Sequence, residues 1–446
     1  MSGSKHTGAN LEQGAEDVLR LALELGADEV SVTVSLGVST ELQRRDGKVE
    51  KAQESRSLGA DVELMVDGRF SSHGTSDLRP AALRAFLERA VAATSHLEPD
   101  LDRRLPDIED MGSADADLDL EDPHYATHNP ERRREMVEAL EHASREALTS
   151  DPVRSITAYV WDGRSQHAIA CSNGFRHQGA STSWGMASTV SLADVDGRIP
   201  EAWSSASARH LEDLPPIPHI VDDLVRNGRA RLGSKAAPSG KYPMLLDARV
   251  VSRILNVMLT PLGGNAIYEQ RSCMADKLGK QIASTAFSLR DEPLVRRGLG
   301  SRHHDGDGLP ATPRTIVDNG MLQTFFLSVY DARRLGKQPT TGRASNLCIA
   351  PGRRTPDQIA RGLGRVVRVD GFLGGNTNPV TGDFSFGVQG ALLENGKVLH
   401  PVSEMNVSGN IFELMGGYQE AASDVWTWSA WRCPSLLFDN VQFSGS

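Results

Sequence analysis

The chain has 446 residues, of which 39% are hydrophobic and 24% are charged, and its formal net charge is −10 at neutral pH. The acidic balance argues against nucleic acid or another polyanion as the main partner. The four cysteines form no Cys-x-x-Cys pair, and no run of about 18 apolar residues exists, so we expect a soluble cytoplasmic protein that spans no membrane.

The N-terminal segment, residues 1–98, predicts a helix, antiparallel strands and a second helix. Its first residues are polar and lack the apolar core of a secretory signal. Apolar residues recur at helical spacing over 11–26 and again over 77–95. The alternating segments between them surround Asp-Gly pairs, which are typical of hairpin turns that need positive φ. These pairs are Asp46-Gly47 and Asp67-Gly68.

Residues 99–130 are rich in proline, aspartate and glutamate, a composition that predicts an exposed connector. Residues 131–238 then predict a central α+β segment. It opens with an amphipathic helix over 131–148, and a second antiparallel sheet follows. A helical, proline-interrupted stretch over 203–238 ends the segment. The turns expected in this sheet are Asp162-Gly163, Asn173-Gly174 and Asp196-Gly197.

Residues 239–446 predict a larger domain that is mostly antiparallel β. A strand over 241–246 and an apolar helix over 247–262 come first, and from about residue 285 the pattern is mostly that of strands. Hairpin signals stand at Asp318-Asn319-Gly320 and Asn395-Gly396. The predicted fold class is therefore α+β, with N-terminal helix and antiparallel-sheet units before this C-terminal domain.

One stretch of the C-terminal region, "GLGSRHHDGDGLPATPRT", concentrates side chains of metal-ligand type. They are His303, His304, Asp305 and Asp307. Adjacent residues of a strand point to opposite faces, so the two histidines would share an ion only across a backbone kink, which the neighbouring glycines permit. Three interpretations stay open here: an ordinary surface turn, a ligand or substrate contact through Asp305, and a metal site.

Common enzyme motifs are missing from the sequence. It contains no phosphate-binding loop, no Gly-x-Ser-x-Gly elbow and no dinucleotide-binding glycine motif. None of its 13 histidines is followed by glutamate, so the zinc motif His-Glu-x-x-His does not occur. An enzyme can work without these motifs, so their absence does not exclude catalysis.

Long segments in the right order resemble the TldD/TldE (PmbA) family. In the C-terminal region they are "PLGGNAIYEQRSCMADKLGKQI", "GLGSRHHDGDGLPATPRTIVDNGMLQTFFLSVYDARRLGKQPTTG", "NPVTGDFSFGVQGALLENGKVLHPVSEMNVSGNIFEL" and "WRCPSLLFDNVQFSG". In the first region "GADEVSVTVS" and "SDLRPAALRAFLERAVAATSHLEPD" also fit. The resemblance spans nearly the whole chain, which makes it more specific than any short motif.

The resemblance implies a subunit of a heterodimeric metalloprotease that degrades unfolded peptides or matures modified peptides. In TldD-type subunits a His-Glu-x-x-x-His helix and a C-terminal cysteine hold the metal, whereas TldE-type subunits lack the helix motif and complete the chamber. By spacing the motif would fall on Asn256–Pro261, which here reads "NVMLTP". The chain therefore resembles TldE. We expect no catalytic residue and no metal or cofactor of its own, with Zn²⁺ in a TldD-like partner.

The resemblance also suggests six substrate-contacting positions in the family's patterned loops: Asp305, Gly308, Thr381, Gly382, Asp383 and Gly387. The glycines at 382 and 387 would let a peptide approach a strand edge and add to the sheet as a strand. Related sequences carry Ser-x-Pro-Phe-Asp-x-Glu-Gly where this chain has "SRHHDGDG", so His303 and His304 are the departures from the pattern. Cys433 stands where the family has its C-terminal cysteine, and we interpret it as a buried small hydrophobe.

Two alternatives remain. The chain would be a stand-alone, catalytically inert protein that binds or presents peptides, alone or as a homodimer. Or it would be a divergent hydrolase with a non-standard metal site at His303, His304 and Asp305. The sequence leaves open which peptide is the substrate and whether the role is general turnover or the maturation of one peptide.

Overall fold

A single six-stranded antiparallel sheet organises the N-terminal half of the chain in the computed structural model, which describes residues 8–445. Its strand order is β3-β2-β1-β4-β5-β6. In chain order the elements are α1 (Gly8–Glu24), β1 (Glu29–Arg45), β2 (Lys48–Val66), β3 (Arg69–Thr75), α2 (Pro80–Thr94), α3 (Pro130–Ala147), β4 (Val153–Cys171), β5 (Arg176–Leu192), β6 (Glu201–Ala208) and α4 (Ile217–Arg229).

The prediction of two separate sheets in this half is wrong. Strand β1 pairs with β4 from Ser31 opposite Cys171 to Arg45 opposite Thr157, which joins the two groups of strands into one sheet. The Asp162-Gly163 pair, predicted as a turn, lies inside β4. The stretch over 203–238 is not helical throughout either, because β6 occupies its start. A single sequence shows which residues alternate, but it does not show which strand lies beside which.

The two faces of this sheet differ in polarity because side chains alternate along each strand. In β1 the even-numbered residues Val30, Val32 and Val34 are buried in one core with apolar side chains of α1 and α2. The odd-numbered residues of the same strand, such as Ser31 and Thr33, lie on the opposite face. That second face is polar and is turned toward the C-terminal region.

The segment over 99–130 is a connector without long helices or strands, but it is not exposed throughout. It forms 3₁₀ turns at Ile108–Asp110 and Tyr125–Thr127. Leu118, Asp122 and Tyr125 are all less than a tenth exposed. The backbone of the segment also bonds to the C-terminal region, since the N–H of Arg297 donates to the Leu118 carbonyl at 2.7 Å. It therefore fastens the two halves together.

The C-terminal half contains a strand ring in the order β14-β13-β12-β7-β17, which closes where β14 pairs with β17. Strands β12 and β7 run parallel, and the other pairs of the ring are antiparallel. In chain order the elements are β7 (Gly240–Leu246), α5 (Val251–Leu259), α6 (Gly264–Tyr268), β8 (Leu289–Asp291), β9 (Arg314–Asp318), β10 (Met321–Leu322), α7 (Val329–Leu335), β11 (Leu347–Cys348), α8 (Pro356–Arg361), β12 (Arg365–Asn378), β13 (Asp383–Glu394), β14 (Lys397–Asn410), α9 (Ile411–Gly416), β15 (Tyr418–Ala421), β16 (Trp431–Arg432) and β17 (Leu436–Gly445).

A second, smaller sheet in the order β10-β9-β8-β11-β16 lies in the same half. The predicted apolar helix is α5, whose Ile254, Leu255 and Met258 are fully buried in the main core of this half. Burying a side chain of this size contributes about 1.5–3 kcal/mol. The α+β class, with a sheet-rich C-terminal half, is confirmed.

Most of the predicted hairpin turns are confirmed by their backbone. Asp46 and Gly47 both have positive φ between β1 and β2, and Asn395 and Gly396 do so between β13 and β14. These pairs tolerate the left-handed conformation that a tight hairpin requires. No helix within residues 8–445 is both long and apolar enough to cross a membrane.

Candidate functional site

The loop over residues 298–311 is shaped by the carboxylate of Asp305. Its Oδ1 accepts hydrogen bonds from the backbone N–H groups of Asp307 at 3.0 Å and Leu309 at 3.1 Å. The side chain sits on a residue only 5% exposed. Buried N–H groups need such partners, so Asp305 holds the turn. The stretch is a loop, but its buried Asp305 shows that it is not an ordinary surface turn.

Gly308 is required by both backbone and packing. Its φ of +82° lies in the left-handed region, which residues other than glycine rarely adopt. A Cβ at this position would also clash with Met111 Cε and lie 3.3 Å from Phe175 Cε1. Its carbonyl accepts a hydrogen bond from the Gly112 N–H at 2.9 Å. The loop is therefore locked against the connector.

The two adjacent histidines of the loop have different surroundings. His303 Nδ1 lies 3.2 Å from the Ala114 carbonyl oxygen, and His304 Nδ1 lies 2.7 Å from the Asp305 carbonyl oxygen. The metal site considered as an alternative at His303, His304 and Asp305 is not assembled, because the Asp305 carboxylate holds the loop backbone. The structure instead brings His304 to His167 and His177.

Strand pairing places His167 and His177 side by side. They flank the Asn173-Gly174 turn between β4 and β5, where His167 stands opposite Gly179 and His177 stands opposite Ile169. Diagonal neighbours of this kind share a face of the sheet. Their rings are stacked with centroids 5.6 Å apart, and the His177 and His304 rings are 4.3 Å apart. One ligand nitrogen from each of these three histidines lies within 4.8 Å of the other two.

Glycine at position 179 leaves room for this cluster. A Cβ there would lie 2.7 Å from His167 Cε1 and 3.3 Å from His177 Nε2. Both values are tighter than ordinary van der Waals contact. A larger residue at position 179 would therefore displace one or both imidazole rings.

The pKa values of all three imidazoles are lowered, which favours their neutral form at neutral pH. Burial lowers the pKa of His177 to about 4, and the other histidines add to the effect. Burial, and the proximity of His304, also lower the pKa of His167. Burial lowers the pKa of His304, although its hydrogen bond to the Asp305 carbonyl opposes the change. Neutral imidazole is the form that binds metals.

The cluster opens into a polar cleft of about 720 Å³ between the N-terminal sheet and the loop. Asp305 and the guanidinium-bearing residues Arg209, Arg302 and Arg343 line it. Burial lowers the pKa of Arg209 and Arg302. Gly308 lines a neighbouring cavity of about 130 Å³. Arg209 and Arg302 donate to backbone carbonyls of this chain, so the exposed Arg343 offers the cationic contact to a carboxylate or carbonyl oxygen of a peptide.

Three of the predicted site residues form one turn between β12 and β13. Thr381 Oγ1 donates to Asp383 Oδ2 at 2.6 Å, and Asn410 Nδ2 donates to Asp383 Oδ1 at 2.9 Å. These hydrogen bonds lower the pKa of Asp383. Gly382 has a φ of +82°, and a Cβ there would lie 2.9 Å from Ile411 Cγ2. The turn does not contribute to the walls of the histidine cleft, so the two groups of predicted residues belong to separate places.

Strand addition at Gly387 is excluded by its pairing. Strand β13 lies between β12 and β14, and Gly387 stands opposite Leu373 on one side and Asn406 on the other. Both edges are occupied, so the predicted approach of a peptide strand is wrong here. A Cβ at Gly387 would lie 2.6 Å from the Leu373 carbonyl oxygen, which explains the glycine by packing. Substrate contact at the other positions stays a prediction.

The segment Asn256–Pro261, where the family resemblance places a zinc motif, does not fit a zinc ion. It occupies the last turn of α5 and a 3₁₀ turn at Thr260–Leu262. Val257 is buried in the apolar core, and Pro261 is buried as well. Neither side chain offers a donor atom, and zinc requires nitrogen, sulfur or carboxylate ligands.

Cys433 is fully buried, as predicted. Its Sγ donates to the Leu347 carbonyl at 3.6 Å. Burial raises the pKa of this thiol to about 12. Because the thiolate is the form that attacks electrophiles or binds metals, the side chain behaves as a packed hydrophobe at neutral pH.

Comparison with known proteins identifies the family to which this chain belongs. Residues 239–445 match the PmbA/TldA metallopeptidase C-terminal domain, and residues 30–94 match domain 1 of the same family. The chain belongs to the PmbA/TldD metallopeptidase family. Metalloprotease PmbA of Escherichia coli O157:H7 is 26% identical over 441 residues, which cover 96% of each protein.

Solved structures agree with this membership of the PmbA/TldD family. A candidate modulator of DNA gyrase from Bacteroides thetaiotaomicron is 33% identical, with a TM-score of 0.94 over 99% of this chain and all of that one. TldE from Thermococcus kodakarensis is 19% identical, with a TM-score of 0.85 over 97% of this chain and all of that one. The second likeness shows the shared fold.

Sequence reasoning missed His167 and His177. The signal for the pair was present, because a hairpin at Asn173-Gly174 places both on one face of two neighbouring strands. The approach of His304 was not predictable, since it depends on how the C-terminal loop packs on the N-terminal sheet. Of the two loop histidines that depart from the family pattern, His304 is the one that belongs to the three-histidine cluster.

Proposed function

We propose that this chain is a TldE-type subunit of a heterodimeric TldD/TldE metalloprotease. A TldD-like partner carries the catalytic Zn²⁺, and this chain helps to form the chamber that receives unfolded or modified peptides. The observation that carries the proposal concerns the segment Asn256–Pro261. Its Val257 and Pro261 are buried, and neither side chain offers a ligand atom for zinc.

Two further features support the proposal. Cys433, at the position of the family's C-terminal cysteine, is a buried thiol with a raised pKa. None of the chain's histidines precedes a glutamate, so the helix motif does not occur anywhere else in the sequence either. The general base that would activate a zinc-bound water therefore has to come from the partner.

The contribution of this chain is to bind and orient the peptide. The exposed Arg343 lines one side of the polar cleft, and the polar face of the N-terminal sheet forms the other. Guanidinium groups bind carboxylate and carbonyl oxygens with defined geometry. Extended peptides, whose backbone groups are unpaired, satisfy such contacts better than folded proteins do.

The test is to express the chain alone and together with a TldD-like partner, and then to measure co-purification, bound zinc and cleavage of an unfolded peptide. We expect a 1:1 complex and cleavage only when both subunits are present. A partner whose motif glutamate is changed to glutamine is the control, and it should assemble without cleaving.

Cleavage by this chain alone would overturn the assignment and favour a divergent hydrolase. Peptide binding without any complex formation would favour the stand-alone scaffold. Both outcomes are read from the same preparations, so one experiment separates the three functions.

A further inference from the structure

We propose that His167, His177 and His304 form a binding site for one divalent transition-metal ion, which clamps the C-terminal loop to the N-terminal sheet. The site is separate from the catalytic zinc assigned to the partner and goes beyond the proposed function. It also departs from the expectation that this chain binds no metal.

The spacing of the ligands supports the site. The three nitrogens lie within 4.8 Å of one another. In a tetrahedral zinc site with bonds of about 2.0–2.1 Å, ligand nitrogens are about 3.4 Å apart. Closing that difference takes small side-chain rotations, because His167 and His177 are already stacked on neighbouring strands and His304 sits on a loop.

The hydrogen bonds of the rings leave nitrogens free for an ion. The Asp305 carbonyl oxygen can only accept, so His304 carries its proton on Nδ1 and has its lone pair on Nε2. His177 Nδ1 lies 3.0 Å from Ser113 Oγ, and its Nε2 is turned toward Gly179. Outer partners of this kind fix the ring orientation of metal-binding histidines.

The ligand chemistry selects the class of ion. Imidazole nitrogens suit Zn²⁺, Cu²⁺ and Ni²⁺, whereas Mg²⁺ and Ca²⁺ prefer carboxylate, carbonyl and water oxygens. Three protein ligands leave a fourth position for water or for a substrate atom. All three histidines line the polar cleft, so this fourth position faces it.

The location of the ligands gives the ion its role. His167 and His177 belong to β4 and β5, whereas His304 belongs to the loop of the C-terminal half. A bound ion therefore links segments that are distant in sequence. Because such an ion binds the folded state and has no preformed site in the unfolded chain, it stabilises the junction.

The experiment uses the full chain, stripped of metal with a chelator and titrated with Zn²⁺. We expect one equivalent to bind and the melting temperature to rise, with no effect of Mg²⁺ at the same concentration. Co²⁺ as a second probe should give the visible spectrum of a tetrahedral nitrogen site. The variants His177→Gln and His304→Gln should each lower the Zn²⁺ affinity at least tenfold. His303→Gln is the matched control, since it changes the neighbouring histidine, and it should keep the wild-type affinity.

A fourth variant leaves every ligand in place. Gly179→Ala puts a methyl group against the His167 ring and should weaken Zn²⁺ binding, whereas Gln178→Ala, at an exposed neighbour, should not. The metal-free melting temperature of each variant checks its folding. The proposal is overturned if the folded wild type takes up no stoichiometric Zn²⁺, or if binding survives in both His177→Gln and His304→Gln. Because the readout is metal binding by the isolated chain, its failure is distinct from a failure of the partnership with a TldD-like subunit.

Discussion

Arg133 of α3 donates from Nε and Nη2 to the two carboxylate oxygens of Asp162, at 2.5 Å and 2.9 Å. Tyr125 of the connector donates to the same carboxylate at 2.7 Å. Asp162 is 2% exposed and Arg133 is 9% exposed, so the pair lies inside the protein. Three segments of the chain thus meet at one buried carboxylate.

Removing the guanidinium should be costly. Arg133→Met leaves the Asp162 carboxylate buried without its cation, and we expect the free energy of unfolding to fall by about 3–5 kcal/mol. Urea unfolding at pH 7 measures the change. Arg132→Met is the matched control, because the neighbouring side chain is more than half exposed. Equal losses in the two variants would show that the buried pair has no special role.

The loop over 298–311 offers a test with two glycines. Gly308→Ala forces a left-handed backbone on alanine and a clash with Met111, so we expect a loss of about 1–3 kcal/mol in the free energy of unfolding. Gly306→Ala is the control, since a Cβ there meets no atom within 4 Å. Thermal unfolding of both variants gives the comparison. A stable Gly308→Ala protein would contradict the loop geometry.

Acid stability should depend on Asp122. Burial raises the pKa of this carboxyl, but hydrogen bonds from the Leu211 and His124 N–H groups, together with the charges of nearby histidines, outweigh burial and lower the pKa below its usual value. The folded pKa is therefore below the unfolded pKa of about 3.9. The stabilisation is fully present above about pH 4 and is lost as the pH falls through the folded pKa.

Asp122→Asn should consequently be less stable than the wild type at pH 7, and the difference should shrink at lower pH. Urea unfolding at pH 7, 4 and 3 measures it. Asp115→Asn, at an exposed position of the same connector, controls for the change in net charge. A difference that stays constant over this range would contradict the role of the Asp122 hydrogen bonds.

The turn at Thr381–Asp383 tests the predicted substrate contacts. Asp383→Ala removes the acceptor of the Thr381 and Asn410 hydrogen bonds. If the turn helps to hold the peptide, cleavage by the complex should fall at least tenfold in kcat/KM. Asp439→Ala, at another exposed carboxylate of the C-terminal half, is the control. Unchanged cleavage by Asp383→Ala would exclude this turn from substrate binding.

Local features of the fold were predictable and long-range ones were not. The Asp46-Gly47 and Asn395-Gly396 hairpins were predicted because their turn chemistry is contained in two adjacent residues. The pairing of β1 with β4 was not predicted, since it joins segments separated by two strands, two helices and the whole connector. Asp162-Gly163 resembles a hairpin signal, but long pairing on both sides of β4 overrides it.

The residues of the candidate site also differ in whether the sequence predicts them. Asp305 stands out in the sequence by its residue type and Gly308 through the family resemblance, and the structure explains both through the geometry of the loop. The Asn173-Gly174 hairpin brings His167 and His177 onto one face of neighbouring strands, but nothing in the sequence shows that a third histidine joins them there. The sequence places His304 beside His303, whereas the histidines that neighbour it in space lie on β4 and β5.

The shared N-terminal sheet has a practical consequence for fragments of this protein. A recombinant piece that ends near residue 98 would keep β1 but lose β4, and the unpaired edge would run from Ser31 to Arg45. Exposed edges of that length recruit other strands and promote aggregation. A fragment over residues 8–229 retains all six strands and the helices that cover them, and is therefore the shorter version to attempt for crystallisation or labelling.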